Sequence, residues 1–253
     1  MPYPAHVSDA AYCYDGSYAG FLCCIFESYT QCEIPSAVLG PAEGQTTLFG
    51  TEAIATDPTH ARRVANGLTR LGPMVRARVM TGFLSTEEEK DLILLRFARR
   101  CFDEGPRAVQ MLGDPDVHAA FVLERNVNNE VCRFIEFIRF EEKDGMLGSV
   151  IHPKNNVLPL LRGHFCSRLP DEDFLIFDAA HGTALLRQSG HVQYLAMEHY
   201  EPARDADELN WQALWKRFFH ALTIEERRNA KAQMNHAPKR FWGGMVEMRE
   251  PYI

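Results

Sequence analysis

The chain has 253 residues, 46% of them hydrophobic and 24% charged, with a formal net charge of −7. That is the size and composition of an ordinary soluble globular protein with a substantial core, in one large domain or two small ones. The acidic balance argues against a protein that coats nucleic acid indiscriminately, while leaving room for a local basic face.

No apolar run approaches the ~20 residues needed to span a bilayer. The opening Met1-Pro-Tyr-Pro-Ala-His6 lacks the basic-then-apolar order of a signal peptide. A cytoplasmic location is therefore expected. Seven cysteines, at 13, 23, 24, 32, 101, 132 and 166, form no C-x-x-C pair and no zinc spacing. They read as reduced thiols, mostly buried. No metal site, iron–sulfur loop or other cofactor site is expected.

Ala11 to Tyr14 reads as a short strand, Asp15-Gly16-Ser17 as a sharp turn, and Phe21, Leu22, Ile25, Phe26 and Tyr29 fall at helical spacing. Pro35, Gly40, Pro41 and Gly44 mark a loop, and Thr46 to Ile54 an extended segment. Asp57-Pro58 is a cap followed by Pro at the first helical position, predicting a helix to about Leu71. A second helix is expected over 74–82. Ser85-x-x-Glu88 has the form of a capping box and predicts a helix over 86–102. Asp114-Pro115 repeats the cap-then-Pro signal for a helix to about Arg133.

The character then changes. Phe134 to Glu141 and Met146 to His152 are rich in Phe, Val and Ile and read as strands, with Lys143-Asp144-Gly145 as the hairpin turn. Asn155 or Asn156 caps a helix carrying Leu160, Leu161, His164, Phe165 and Arg168, with Pro159 in its first turn. Phe174–Ala179, Thr183–Gln188 and His191–Glu198 read as three strands joined at Gly182 and Gly190. Helices over 206–221 and 223–235 close the chain. Acidic groups gather at 87–89, 171–173 and 205–208, on helix starts and turns. The expected class is α+β: a single domain over 1–253, with 57–133 as a helical subdomain and a mainly antiparallel sheet.

The stretch Asn229-Ala-Lys-Ala-Gln-Met-Asn-His-Ala-Pro-Lys-Arg-Phe-Trp242 crowds cations, amides, an imidazole and two aromatic rings into one end of an acidic chain. Cations neutralise phosphates and ring faces stack on bases, so this end reads as a nucleic-acid-facing surface. A solvated helix with a tail stapled to the core explains the same residues.

At Tyr14-Asp-Gly-Ser17, Phe137-Ile-Arg-Phe140, Asn156-Val-Leu-Pro-Leu-Leu161 with His164, Phe165 and Arg168, and Pro238-Lys-Arg-Phe-Trp242, the chain resembles a bacterial family assigned to DNA metabolism or repair. Members of that family are encoded beside a radical-SAM protein, and some are fused to a uracil-DNA-glycosylase-like domain. The resemblance covers nearly the whole chain. It implies a DNA repair or modification context with a radical-SAM partner, and it carries over no catalytic residue. The chain departs from the family at His152-Pro-Lys-Asn155, where relatives often have an acidic residue and a second His, and at the Met234-Asn-His lead-in to Pro238.

Several residues are candidates for chemistry. Asp15 stands at a strand-to-helix turn, where it either caps the helix or exposes a carboxylate. Asp178 ends an apolar strand, a place where carboxylates activate water. Arg139, read on a strand between Phe137 and Phe140, either grips phosphate or pairs with Glu130, Glu136 or Asp178. His164 and Arg168 share a helix face. Arg227, Lys231 and Met234 are expected as neighbours on one helix, with Lys239, Arg240 and Trp242 beyond it. The expectation is a protein binding damaged or single-stranded DNA through Arg139, Arg168, Arg227, Lys239, Arg240 and Trp242. The alternative is a base- or phosphodiester-processing, glycosylase-like enzyme using Asp15 or Asp178.

Overall fold

A computed structural model describes residues 6–41, 50–201, 206–227 and 229–248. Residues 46–49 of the expected extended segment, Gly44 of the loop, Asp205 of the acidic group and the first five residues lie outside that description. The fold is mixed α/β. The chain divides into two units, Met1–Asn128 and Asn129–Ile253.

The first unit opens with β1 (His6–Val7), β2 (Ala11–Cys13) and α1 (Tyr18–Thr30), followed by β3 (Glu33–Ile34), β4 (Ala37–Leu39) and β5 (Thr51–Ala53). β2 lies between β4 and β5, parallel to both, and β1 runs parallel to β3. A helical block follows: α2 (Pro58–Leu71), α3 (Pro73–Phe83) and α4 (Lys90–Glu104). The Asp57 carboxylate accepts from the Thr59 and His60 amides, and Asp114 from those of Asp116 and Val117, so both cap-then-Pro signals mark true helix starts. Ser85 caps only a turn, accepting from Glu87 N, and α4 begins at Lys90 rather than 86. The core joins Phe21, Ile25, Leu68, Val79, Leu94 and Phe97, all essentially inaccessible.

α5 (Pro115–Phe137) leads into the second unit. The strand expected over 134–141 is a correction: residues 134–137 continue α5, 138–140 belong to no helix or strand, and β6 is Glu141–Lys143. Val127, Val131, Phe134 and Ile138 are buried at helical spacing, and that period prevails over the aromatic composition. β6 turns into β7 (Met146–Ile151) through Asp144 (φ 51°) and Gly145 (φ 76°). A two-residue loop with both central φ positive is the type I′ hairpin turn that Asp-Gly favours. Next come α6 (Leu158–Arg168), β8 (Asp173–Asp178), β9 (Thr183–Gln188) and β10 (His191–Ala196).

The five strands run in the order β10-β9-β8-β7-β6. β7 and β8 are parallel and the other neighbours antiparallel. With the all-parallel β4-β2-β5 sheet, this overturns the expected mainly antiparallel arrangement. The physical reason is α6, which supplies the long crossover that parallel neighbours need.

α7 (Ala206–Leu222) follows. It leaves Trp211, Leu214, Trp215 and Phe218 exposed. The helix expected over 223–235 is broken: Glu225–Arg227 is a 3₁₀ turn, Asn229 is non-helical (φ −134°, ψ 93°), and α8 spans Ala230–His236. Arg227, Lys231 and Met234 therefore do not share one helix. A 3₁₀ segment, Lys239–Gly244, and a short turn, Val246–Met248, end the described chain. Among the described residues no helix is long and apolar enough to cross a membrane. No group of three or more His, Cys, Asp or Glu among them is placed to hold a metal ion.

Candidate functional site

In the second unit the C-terminal 3₁₀ segment folds onto the end of α5. Phe241 meets Phe134 edge-on at 5.0 Å between ring centroids and lies 5.8 Å from Phe137. These rings, β7 and the Gly243-Gly244 backbone enclose a cavity of about 210 Å³, into which Arg139, His152 and Arg240 also contribute. That volume is below the ~300–1,000 Å³ of drug-sized ligand pockets. It suits one flat ring or one phosphoryl group.

The cations at this cavity are tethered. Arg139 lies between α5 and β6, not on a strand, so the alternation read for Phe137 and Arg139 does not apply. Its Nη1 donates to the Glu136 and Ile138 carbonyls, and its Nη2 lies 3.4 Å from Glu247. The ion-pair reading holds, but the partner is Glu247 and not Glu130, Glu136 or Asp178. Arg240 Nη1 is 3.5 Å from Glu130, whose side chain is only 2% exposed. Glu130 also accepts from the backbone amides of Lys154 and Asn155 (3.0 and 2.9 Å) and from Asn155 Nδ2 (2.7 Å). Asn155 thus anchors a loop to α5 and is not the cap of α6, which has no side-chain cap.

Trp242 donates its indole N–H to the Ala237 carbonyl at 2.7 Å, and Lys239 Nζ sits 5.8 Å from its ring centre. Arg133 fixes the start of the tail by donating to the His236 carbonyl. Of the six residues expected to meet nucleic acid, Arg139 and Arg240 line the cavity. Lys239 and Trp242 share Arg240's 3₁₀ segment without lining it. Arg168, exposed in the last turn of α6, and Arg227, exposed on its 3₁₀ turn, are not brought to it.

Asp178 ends β8 beside Ile151 of β7, with 1% of its surface exposed. Its Oδ1 accepts from the Ala180 and His181 amides, and its Oδ2 lies 2.7 Å from His181 Nδ1. Burial raises its pKa above the usual carboxylate value, and the His181 hydrogen bond opposes that rise. With both oxygens engaged, Asp178 orients the His181 imidazole through its Nδ1. Sequence reasoning passed over His181, although D-x-x-H at a strand exit was the signal for it. His152, one residue past the end of β7, is a second imidazole at these strand ends.

Asp15 belongs to the first unit and sits past the end of β2. Its Oδ1 accepts from Ser17 N and Oγ, and its Oδ2 from Thr56 Oγ1. These bonds, led by the Ser17 hydroxyl, hold its pKa below the usual value. Ser17 in turn caps α1 by accepting from Gly20 N. Gly16 has φ +78° and packs so close to Pro41 that a Cβ would lie 2.6 Å from its Cδ. The carboxylate's acceptors are thus occupied in building the turn. Nearby, the buried Asp91 accepts from Tyr14 Oη at 2.8 Å, while its Oδ1 has no hydrogen-bond partner. Burial raises the Asp91 pKa.

Residues 88–247 match the model of DUF4130, a domain of unknown function. The chain belongs to the DUF4130 family. No curated protein and no solved structure matches it. The DUF4130 match takes in Glu130, Arg139, Asp178, His181 and Arg240, whereas Asp15 and α1 to α3 lie outside it.

Proposed function

We propose that this DUF4130 protein binds single-stranded or damaged DNA in a repair or modification process, with the cavity of the second unit receiving an unstacked base or a backbone phosphate. What supports the reading is the convergence of Arg139 and Arg240 with Phe134, Phe137 and Phe241 at one concavity. Guanidinium groups beside ring faces are what an unpaired base and its phosphate require. Lys239 and Trp242, on the same segment, extend the contact surface. A radical-SAM protein as working partner belongs to the same proposal and rests on the family resemblance. Co-purification of the two would support it, and their independent elution would count against it.

The direct test is a fluorescence-anisotropy titration of the full chain with single-stranded and lesion-bearing oligonucleotides. Lys239→Ala with Arg240→Ala is expected to weaken binding about tenfold or more, as loss of two phosphate contacts does. Thermal melting of the variant checks its fold. Absence of binding at low salt, or a variant that binds like the parent, would reject the proposal.

One observation favours a second reading. The 2.7 Å contact between Asp178 and His181 is the geometry by which a buried carboxylate holds an imidazole as general base. In a glycosylase-like or phosphodiester-processing enzyme, His181 would take the proton of an attacking water. Base release or strand cleavage that is lost in His181→Ala and Asp178→Asn but kept in Asp15→Asn would establish that reading. The absence of both base release and strand cleavage with the unsubstituted chain would remove it.

A further inference from the structure

Between Asp57 and Glu87 the sequence holds Arg62, Arg63, Arg70, Arg76 and Arg78 and no carboxylate, in a chain whose net charge is −7. Arg78 is buried and paired with Glu124 at 2.8 Å, so its role is structural. The other four are exposed on α2 and α3, and among the described residues none of them pairs with a carboxylate. Arg63 and Arg70 are seven residues apart, which puts them on one side of α2 about 10 Å apart along its axis.

They border a groove of about 540 Å³ in the first unit, walled by Phe26, Tyr29 and Phe102. Phe26 stacks on His60 at 3.9 Å with 15° between planes, and the Arg63 guanidinium sits 5.7 Å from the Phe26 ring centre. Tyr29 meets Phe102 edge-on. Gly67 is what lets Phe102 approach α2, since a Cβ there would lie 2.8 Å from its Cε1. Carboxylates touch the rim groups: Glu27 lies 3.8 Å from His60 Nδ1, Asp57 accepts from the His60 amide, and Asp103 accepts from Tyr29 Oη. None of them neutralises Arg63 or Arg70.

We infer that this groove is a second binding site for single-stranded nucleic acid, with Arg63 and Arg70 on successive backbone phosphates and bases stacked against Phe26, Tyr29 and Phe102. It extends the DNA-binding reading above and rests on it for the identity of the strand. Unpaired guanidinium groups match a polyanion. Aromatic walls match unpaired bases, which a duplex keeps inside its stack. A strand carries several phosphates and can engage both arginines while its bases meet the rings, which a single nucleotide with one base cannot do.

The test measures a labelled single-stranded 24-mer against four forms of the full chain: unsubstituted, Arg63→Glu with Arg70→Glu, Arg63→Gln with Arg70→Gln, and Arg139→Ala with Arg240→Ala. Circular dichroism confirms that each is folded, and the Gln pair keeps the test decisive if the Glu pair is not. The inference expects the α2 variants to bind about tenfold or more weaker, with the dependence of log K on log salt flattened by about 1.4, the contribution of two single-strand phosphates. It expects photo-crosslinks at Phe26, Tyr29 or Phe102. If the α2 variants bind like the parent and only the Arg139 and Arg240 variant weakens, the groove inference is overturned and the second-unit reading stands. If only the α2 variants weaken, the groove stands and the second-unit reading falls. Equal competition by a duplex or by a mononucleotide would also overturn the inference.

Discussion

The arginines that border the two concavities, one in each unit, are held differently. In the second unit Arg139 is anchored by Glu247 and two carbonyls, Arg240 faces the buried Glu130, and the Trp242 N–H is spent on Ala237. In the first unit Arg63 and Arg70 border their groove with no carboxylate partner among the described residues. Tethered guanidinium groups give a fixed geometry, suited to choosing one base or phosphate. Untethered ones keep their full charge and follow a flexible strand at a cost in side-chain entropy. On the proposed DNA-binding reading, the difference would separate a site that selects from a surface that attracts.

The largest effect that would break this comparison is at Glu130. It accepts hydrogen bonds from Lys154 and Asn155 and faces Arg240 while nearly inaccessible, so Glu130→Ala removes all of these at a buried position. A loss of about 3 kcal/mol in urea unfolding is expected. A loss near zero would mean that Glu130 holds neither the Lys154–Asn155 loop nor Arg240. Next is Arg139→Ala, expected to weaken lesion-bearing DNA more than undamaged single strand, whereas Arg63→Gln should weaken both alike. Equal responses of the two variants would erase the distinction between selecting and attracting.

A smaller effect concerns Asp91. Its folded pKa is raised from the ordinary 3.8 by burial, so the native state holds its proton more tightly than the unfolded chain. Stability therefore falls as pH rises from about 4 through the folded value. Asp91→Asn, which does not titrate, should gain in Tm relative to the parent as pH goes from 4 to 7. A difference that is flat with pH would show that the carboxyl is not perturbed. The smallest effect is at Asp15: Asp15→Asn should lower Tm slightly by loosening the turn before α1, with DNA affinity unchanged. A large loss of affinity would restore Asp15 as a functional carboxylate.

The parts of this fold that were legible carry their signal locally. Asp57-Pro58 and Asp114-Pro115 announce helix starts, and Asp144-Gly145 a tight hairpin, because each sets backbone geometry within a few residues. Phe134 to Ile138 was misread because aromatic and β-branched content looks like strand, while the buried series Val127, Val131, Phe134 and Ile138 is helical in period. The parallel pairing of β7 with β8 required taking α6 as a crossover rather than as a separate element. The site was legible only in part for a similar reason. Arg139 and Arg240 could be named, but Glu130 with Asn155, and Glu247 with Arg139, are partners set by tertiary packing. His181 was within reach, three residues from a carboxylate already singled out. The arginines of α2 and α3 carry no local signal, because they are spread over two helices with no motif to mark them.

The most direct test of the central claim is the salt dependence of single-stranded DNA affinity, measured for the full chain and for Arg139→Ala with Arg240→Ala. The account expects measurable binding at low salt, a clearly negative slope of log K against log salt, and a slope shallower by about 0.7 in the variant, the contribution of the one phosphate that the cavity holds. Affinity that is undetectable at low salt, or a slope that the two substitutions leave untouched, would contradict it.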